Sequence, residues 1–196
     1  MSDEETRLVS PEFTVVWPHL FKPYHYKGST DQAKFSAEMM FDEDAVDMQP
    51  LIDAATAAAK AKWPNRPLKG LKLPFKKGDT IADEAAAKGK KAEHYRGHVV
   101  VRAKSTYQPV ICDANYGEIL DERRVFPGCK GVAELTFVAY ENAAAGDGVT
   151  CYLNAYMHIG EGPRIGGRDA SKIFGSVDTS NFDPEEPAGE DAENLW

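Results

Sequence analysis

Three times between His94 and Gly160 the sequence alternates with a period of two: in HYRGHVVVRAKS, in GVAELTFVAYE and in VTCYLNAYMHIG. Successive residues of a β-strand point to opposite faces, so each stretch can bury one row of side chains and leave the other in solvent. This pattern confines the second half of the chain to half-buried antiparallel strands. The segment NAAAGDG between the last two has the Gly and Asn content of a hairpin turn.

Upstream, EFTVVWPHLF reads as a strand with Phe13, Val15 and Trp17 on one face until Pro18 stops the ladder. A further strand, AKFSAEMMF, sets Ala33, Phe35, Ala37, Met39 and Phe41 on one side. DMQPLIDAATAAAKAKW predicts the one main helix: Leu51, Ala55, Ala59 and Trp63 recur every four residues, Asp47 is the candidate N-cap, and Pro64 ends it. From Asn65 to Glu93 the chain is rich in Lys, Gly, Pro and Ala and reads as a long, basic, mobile connection with at most short elements. Five strands, one interposed helix and uneven loops suit a small closed or partly open barrel better than a sandwich of evenly spaced hairpins.

Charge divides the chain in two. Of 23 bases and 31 acids, seven acids lie in DTSNFDPEEPAGEDAENLW, residues 178–196, which has no Lys or Arg. Residues 1–177 therefore hold 23 bases against 24 acids and read as a nearly neutral folded domain. The acidic stretch has no apolar periodicity to bury and reads as a disordered tail. Within it, Asp191, Glu193, Leu195 and Trp196 form a candidate tip for docking another protein, because a large aromatic is a typical interface anchor. A solubilising tail would explain the acids and leave Leu195 and Trp196 to chance.

Strand periodicity places His94, Arg96, His98, Val100, Arg102 and Lys104 on one face of the basic strand. It places Tyr152, Asn154, Tyr156 and His158 on the polar face of the last strand, opposite Val149, Cys151, Leu153, Ala155 and Met157. Taken separately these are a solvated sheet face and a pair of cross-strand packing tyrosines. LKLPFKKGD adds Lys72, Phe75, Lys76 and Lys77, and AKSTYQP places Tyr107 near Lys104. Bases interleaved with aromatics are what a sequence-tolerant groove for single-stranded nucleic acid needs, since cations follow phosphates and ring faces take bases. The candidate phosphate contacts are Lys72, Lys76, Arg96, Arg102 and Lys104; the candidate stacking residues are Phe75, Tyr107, Tyr152 and Tyr156.

Catalytic and metal chemistry find little support. Five histidines and three cysteines show no close ligand spacing, and GPRIGGRD lacks the GK[ST] ending of a phosphate loop. No cofactor, metal or catalytic residue is expected. Three cysteines without CxxC spacing suit a reducing compartment, and neither a signal segment nor a membrane span is apparent.

In their order, SPEFTVVWPHLFKP, KFSAEMMFD, RAKSTYQPVICDAN, FPGCKGVAELTFVAYEN and LNAYMHIGEGPRIGGR resemble the single-stranded-DNA-binding proteins of tailed bacteriophages. The resemblance implies an OB-fold, an antiparallel barrel of about five strands with one main helix and long basic loops, whose groove holds single-stranded DNA. It implies a protein of phage replication and recombination in the cytoplasm of the infected bacterium. Family members carry an acidic tail ending in an aromatic residue, commonly Phe, where this chain has Trp196. Such a tail competes for the DNA groove and recruits replication proteins. The alternative from another class is an acidic DNA mimic that inhibits a host nuclease or repair protein, which would require an anionic body.

Overall fold

The computed structural model describes residues 6–25, 32–144, 146–167 and 176. Nine strands and two helices are assigned within them: β1 Arg7–Val9, β2 Phe13–Val15, β3 His19–Tyr24, β4 Lys34–Asp42, α1 Gln49–Lys62, β5 Phe75–Lys77, α2 Gly78–Ala86, β6 His98–Ser105, β7 Val110–Asp113, β8 Lys130–Tyr140 and β9 Gly148–Gly160. Five of the strands close on themselves in the order β2, β4, β6, β9, β8 and back to β2. Four contacts of this ring are antiparallel, but β6 meets β9 in parallel through Ala103↔Cys151 and Lys104↔Tyr152. The barrel is thus of the OB type, with one parallel seam where antiparallel pairing was expected.

Inside the ring lie Phe13, Val15, Met39, Phe41, Val101, Leu135, Phe137, Leu153 and Tyr156, each at most 1% exposed. Helix α1 adds Leu51, Ala54, Ala55, Ala58 and Ala59 to the same core, so the four-residue stripe is the buried one. Asp47 does not cap the helix from the N-cap position, which Met48 fills, but its Oδ1 accepts the Gln49 N–H at 2.9 Å.

The expected first strand is two. It breaks after Val15, and a turn in which the His19 N–H donates to the Trp17 carbonyl at 3.1 Å redirects the chain into β3, leaving Trp17 outside the Phe13–Val15 row. Strand β4 differs in another way, since Ser36, Glu38 and Met40 are buried as well as Ala37, Met39 and Phe41. The second face is covered by a smaller cluster of Val16, Met40, Ala92, Tyr95 and Val100, with Ile81 and Ala85 of α2 packed against it. The basic connection is therefore part of the fold: β5 pairs with β6, and α2 with the 3-10 turn Glu93–Tyr95 roofs one side of the barrel.

Candidate nucleic-acid interface

The β4–β6 register sets Glu38 opposite Arg102 and Ser36 opposite Lys104, and the parallel seam sets Lys104 beside Tyr152. Strand β5 lies along β6 with Lys76 opposite Val100, and Lys72 bridges to Gly148 at the start of β9. These pairings gather side chains distant in sequence around one open cleft of about 440 Å³. Lys72, Lys76, Arg102 and Lys104 all line it, together with Trp17, Tyr95, Tyr140 and Thr150. Four of the five candidate phosphate contacts thus share one site.

Glu38 is 5% exposed in the cleft floor, and a carboxylate so buried must be matched. Arg102 supplies the match: its Nε donates to Glu38 Oε2 at 2.9 Å and a terminal nitrogen donates to the same oxygen. The Tyr95 hydroxyl donates to Glu38 Oε1 and accepts from Trp17 Nε1 at 3.2 Å. Burial, reinforced by the bond to Glu38, pushes the Tyr95 phenol well above its ordinary range, so it holds its proton. Among the described residues neither Lys72 nor Lys76 has an ion-pair partner.

The remaining candidates are placed elsewhere. Arg96 is not in the basic row, because β6 begins only at His98 and residues 93–95 form the 3-10 turn. It donates to Glu93 at 2.7 Å and to Asp83 at 2.9 Å, bonds that raise its pKa. Half-buried Phe75 stacks on Phe137 at 5.9 Å between ring centroids and joins the barrel core. Tyr107 is 82% exposed in the loop after β6 and is not part of the cleft lining. Tyr152 is 43% exposed and adjoins Lys104, on β9 two residues past the cleft-lining Thr150.

For Tyr156 the facing expected from periodicity is reversed. Glu134 pairs with Ala155 but Leu135 pairs with Leu153, so Asn154 is an extra residue in β9. Such a bulge shifts the alternation by one, and Tyr156 turns inward while Met157 turns out of the fully buried row. The ring is 0% exposed, fills space left by Gly131, and burial pushes its phenol well above the ordinary range. It has no face to offer a base. The tail candidates Asp191, Glu193, Leu195 and Trp196 lie outside the described residues.

Trp17, Tyr140 and the Glu38–Tyr95 pair are the cleft residues that strand periodicity did not single out. For Trp17 a signal was available, since Pro18 has no N–H to continue the ladder and so marks Trp17 as a strand-end residue. No comparable signal exists for Tyr140, which reaches the cleft by pairing with Gly148, the residue that Lys72 bridges.

Among the described residues no group of three or more His, Cys, Asp or Glu side chains could hold a metal ion. No helix among them is long and apolar enough to cross a membrane.

The sequence matches, over residues 6–185, the family described as Enterobacter phage Enc34, ssDNA-binding protein. No curated protein matches by sequence. Among solved structures, the single-stranded DNA-binding protein from bacteriophage Enc34 in complex with ssDNA is similar with a TM-score of 0.66 at 15% identity, over 82% of this chain and 90% of that one. A second structure of the Enc34 protein gives 0.62 at 18% identity, over 90% and 89% of the two chains. gp2.5, a single-stranded DNA binding protein encoded by bacteriophage T7, gives 0.55 at 17% identity, over 91% and 98%. At these identities the likeness is one of fold.

Proposed function

The chain belongs to the family of the Enterobacter phage Enc34 ssDNA-binding protein, and from that premise we propose that it binds single-stranded DNA without sequence preference along the cleft lined by β4, β5, β6 and the start of β9. The observation that carries this reading is the meeting of Lys72, Lys76, Arg102 and Lys104 with aromatic rings on one outer face of the barrel. Such a surface follows a phosphate chain and stacks on bases of any identity, because every base has a π-face. It carries no array of side chains suited to reading base edges in a duplex groove.

The protein then coats strands exposed during phage replication and recombination, in the cytoplasm of the infected host, and acts by occupancy, not by turnover. The acidic stretch 178–196 competes with DNA for the basic cleft and recruits replication proteins through Leu195 and Trp196. Near-neutrality of residues 1–177 favours this over a DNA mimic, whose body would itself be anionic.

Titration of labelled single strands and duplex at several salt concentrations tests the proposal. Each neutralised phosphate contributes about -0.7 to the slope of log K against log salt, so the three lysines of the cleft alone give about -2. Failure to bind single strands at low salt, or a slope near zero, would remove the reading.

A further inference from the structure

Trp17 is 55% exposed on the rim of the cleft, and its position is fixed with unusual thoroughness for so open a ring. Pro18 and the turn from Trp17 to His19 set its backbone, and the Val16 N–H donates to the Glu38 carbonyl at 2.8 Å on the barrel wall. Its indole N–H donates to the Tyr95 hydroxyl, Tyr95 donates to Glu38, and Glu38 accepts from Arg102. A hydrogen-bonded chain thus runs from β6 to the ring.

We propose that Trp17 is a base-stacking platform of the cleft and that Tyr95, Glu38 and Arg102 brace it, with Arg102 a positioning residue and not a phosphate ligand. This deepens the single-stranded-DNA reading and rests on it. An indole whose one polar group is satisfied inside the protein presents only apolar faces to the cleft. A ring already held at its edge also loses little freedom when a base stacks on it. Lys72, Lys76 and Lys104 line the same cleft and supply the charge that brings a strand across that face.

Arg102 is different in kind from Lys72 and Lys76. Its side chain is 51% exposed, but its charge is already offset by a carboxylate that is 5% exposed, and drawing the guanidinium away from Glu38 onto a phosphate would leave that carboxylate buried with Tyr95 as its remaining donor in the chain. Breaking a buried pair in this way is strongly unfavourable. Arg102, its charge offset by Glu38, therefore adds little to the counterions released on binding, although its loss loosens the brace.

The test begins with the unaltered full chain bound to oligothymidylate carrying 5-iodouracil, irradiated and mapped by peptide mass spectrometry. Crosslinks at Trp17 are expected. In salt titrations, Trp17→Ala should lose about 5- to 150-fold in affinity, the range of one stacked base, with the salt slope kept, and Trp17→Phe, which keeps a ring face but not the N–H that ties it to Tyr95, should recover only part of it. Lys76→Ala should flatten the slope by about 0.7, whereas Arg102→Gln should weaken binding and leave the slope unchanged. Crosslinks confined to other residues, or an Arg102→Gln slope as flat as that of Lys76→Ala, would overturn the proposal while the DNA reading stands. Should Arg102→Gln fail to fold, the crosslink map of the unaltered chain decides. Absence of any binding by the unaltered chain would instead remove the DNA reading itself.

Discussion

Tyr156 sits with its ring centroid 6.1 Å from that of Phe13, over Gly131, where a Cβ would collide with the ring. Its hydroxyl makes only a long bond of 3.4 Å to the Lys130 carbonyl, so Tyr156→Phe should change stability near neutrality by about 1 kcal/mol or less. Alkaline pH should tell the two proteins apart. Burial raises the phenol's pKa in the folded state, so above the ordinary value of about 10 the unfolded chain releases a proton that the native protein keeps. Unfolding free energy then falls as pH rises. Tyr95 and the thiols of Cys112, Cys129 and Cys151, all raised by burial, contribute in the same direction, and removing the Tyr156 phenol should take out one of these contributions, up to about 1.4 kcal/mol per pH unit. Urea midpoints between pH 8 and 11.5 should therefore decline less steeply for Tyr156→Phe. Parallel curves would mean that the native phenol ionises as readily as the unfolded one.

Helix α2 makes the cleft as much as the strands do, because it packs against the turn that carries Tyr95. Gly78 at its start lies against the Tyr95 and His98 carbonyls, and a Cβ there would strike backbone, which cannot swing aside as a flexible side chain can. Gly78→Ala should cost at least about 1–3 kcal/mol, and it should also weaken DNA binding at temperatures where the variant remains folded, since Tyr95 must shift. Thermal melts paired with oligonucleotide titration check both effects; a destabilised variant with unchanged affinity would separate α2 from the site. This element was the least legible in the sequence. GDTIADEAA offers only Ile81, Ala82 and Ala85 as an apolar stripe, flanked by lysines and glycines, and nothing local announces that it packs against Val16, Met40, Tyr95 and Val100. By contrast α1, β8 and β9 were legible because long elements repeat their period often enough to be counted. Strands of three residues, such as β1, β2 and β5, complete barely one period and owe their form to the neighbours they pair with. The site divides along the same line. Lys72, Lys76, Arg102 and Lys104 were visible as charge, but the bulge at Asn154 that withdraws Tyr156 and the buried carboxylate that engages Arg102 are products of pairing across the barrel.

Over the whole chain the charge is -8, yet residues 1–177 carry 23 bases against 24 acids, so seven acids between residues 178 and 196 make nearly all of the excess. Deleting residues 178–196 should leave the barrel folded, because among the described residues every one in its core precedes residue 166. Affinity for single strands should rise. In the proposed competition, seven carboxylates on the same chain act as an intramolecular competitor at high effective concentration, and removing them also lowers the repulsion that a polyanion meets on approach. The gain should be largest at low salt and shrink as salt screens both the competitor and the DNA. Removing only Leu195 and Trp196 retains all seven acids and so separates the two roles proposed for this segment. DNA affinity should then hardly change, while binding to a replication protein should be lost, since an aromatic anchor contributes far more to a protein interface than the charges around it. Filter binding on the full chain and both deletions, beside a pull-down from lysate of infected cells, gives the comparison. Equal gains in DNA affinity from the two deletions would assign Trp196 to the competition itself, and no gain from either would leave the acids a role in solubility alone.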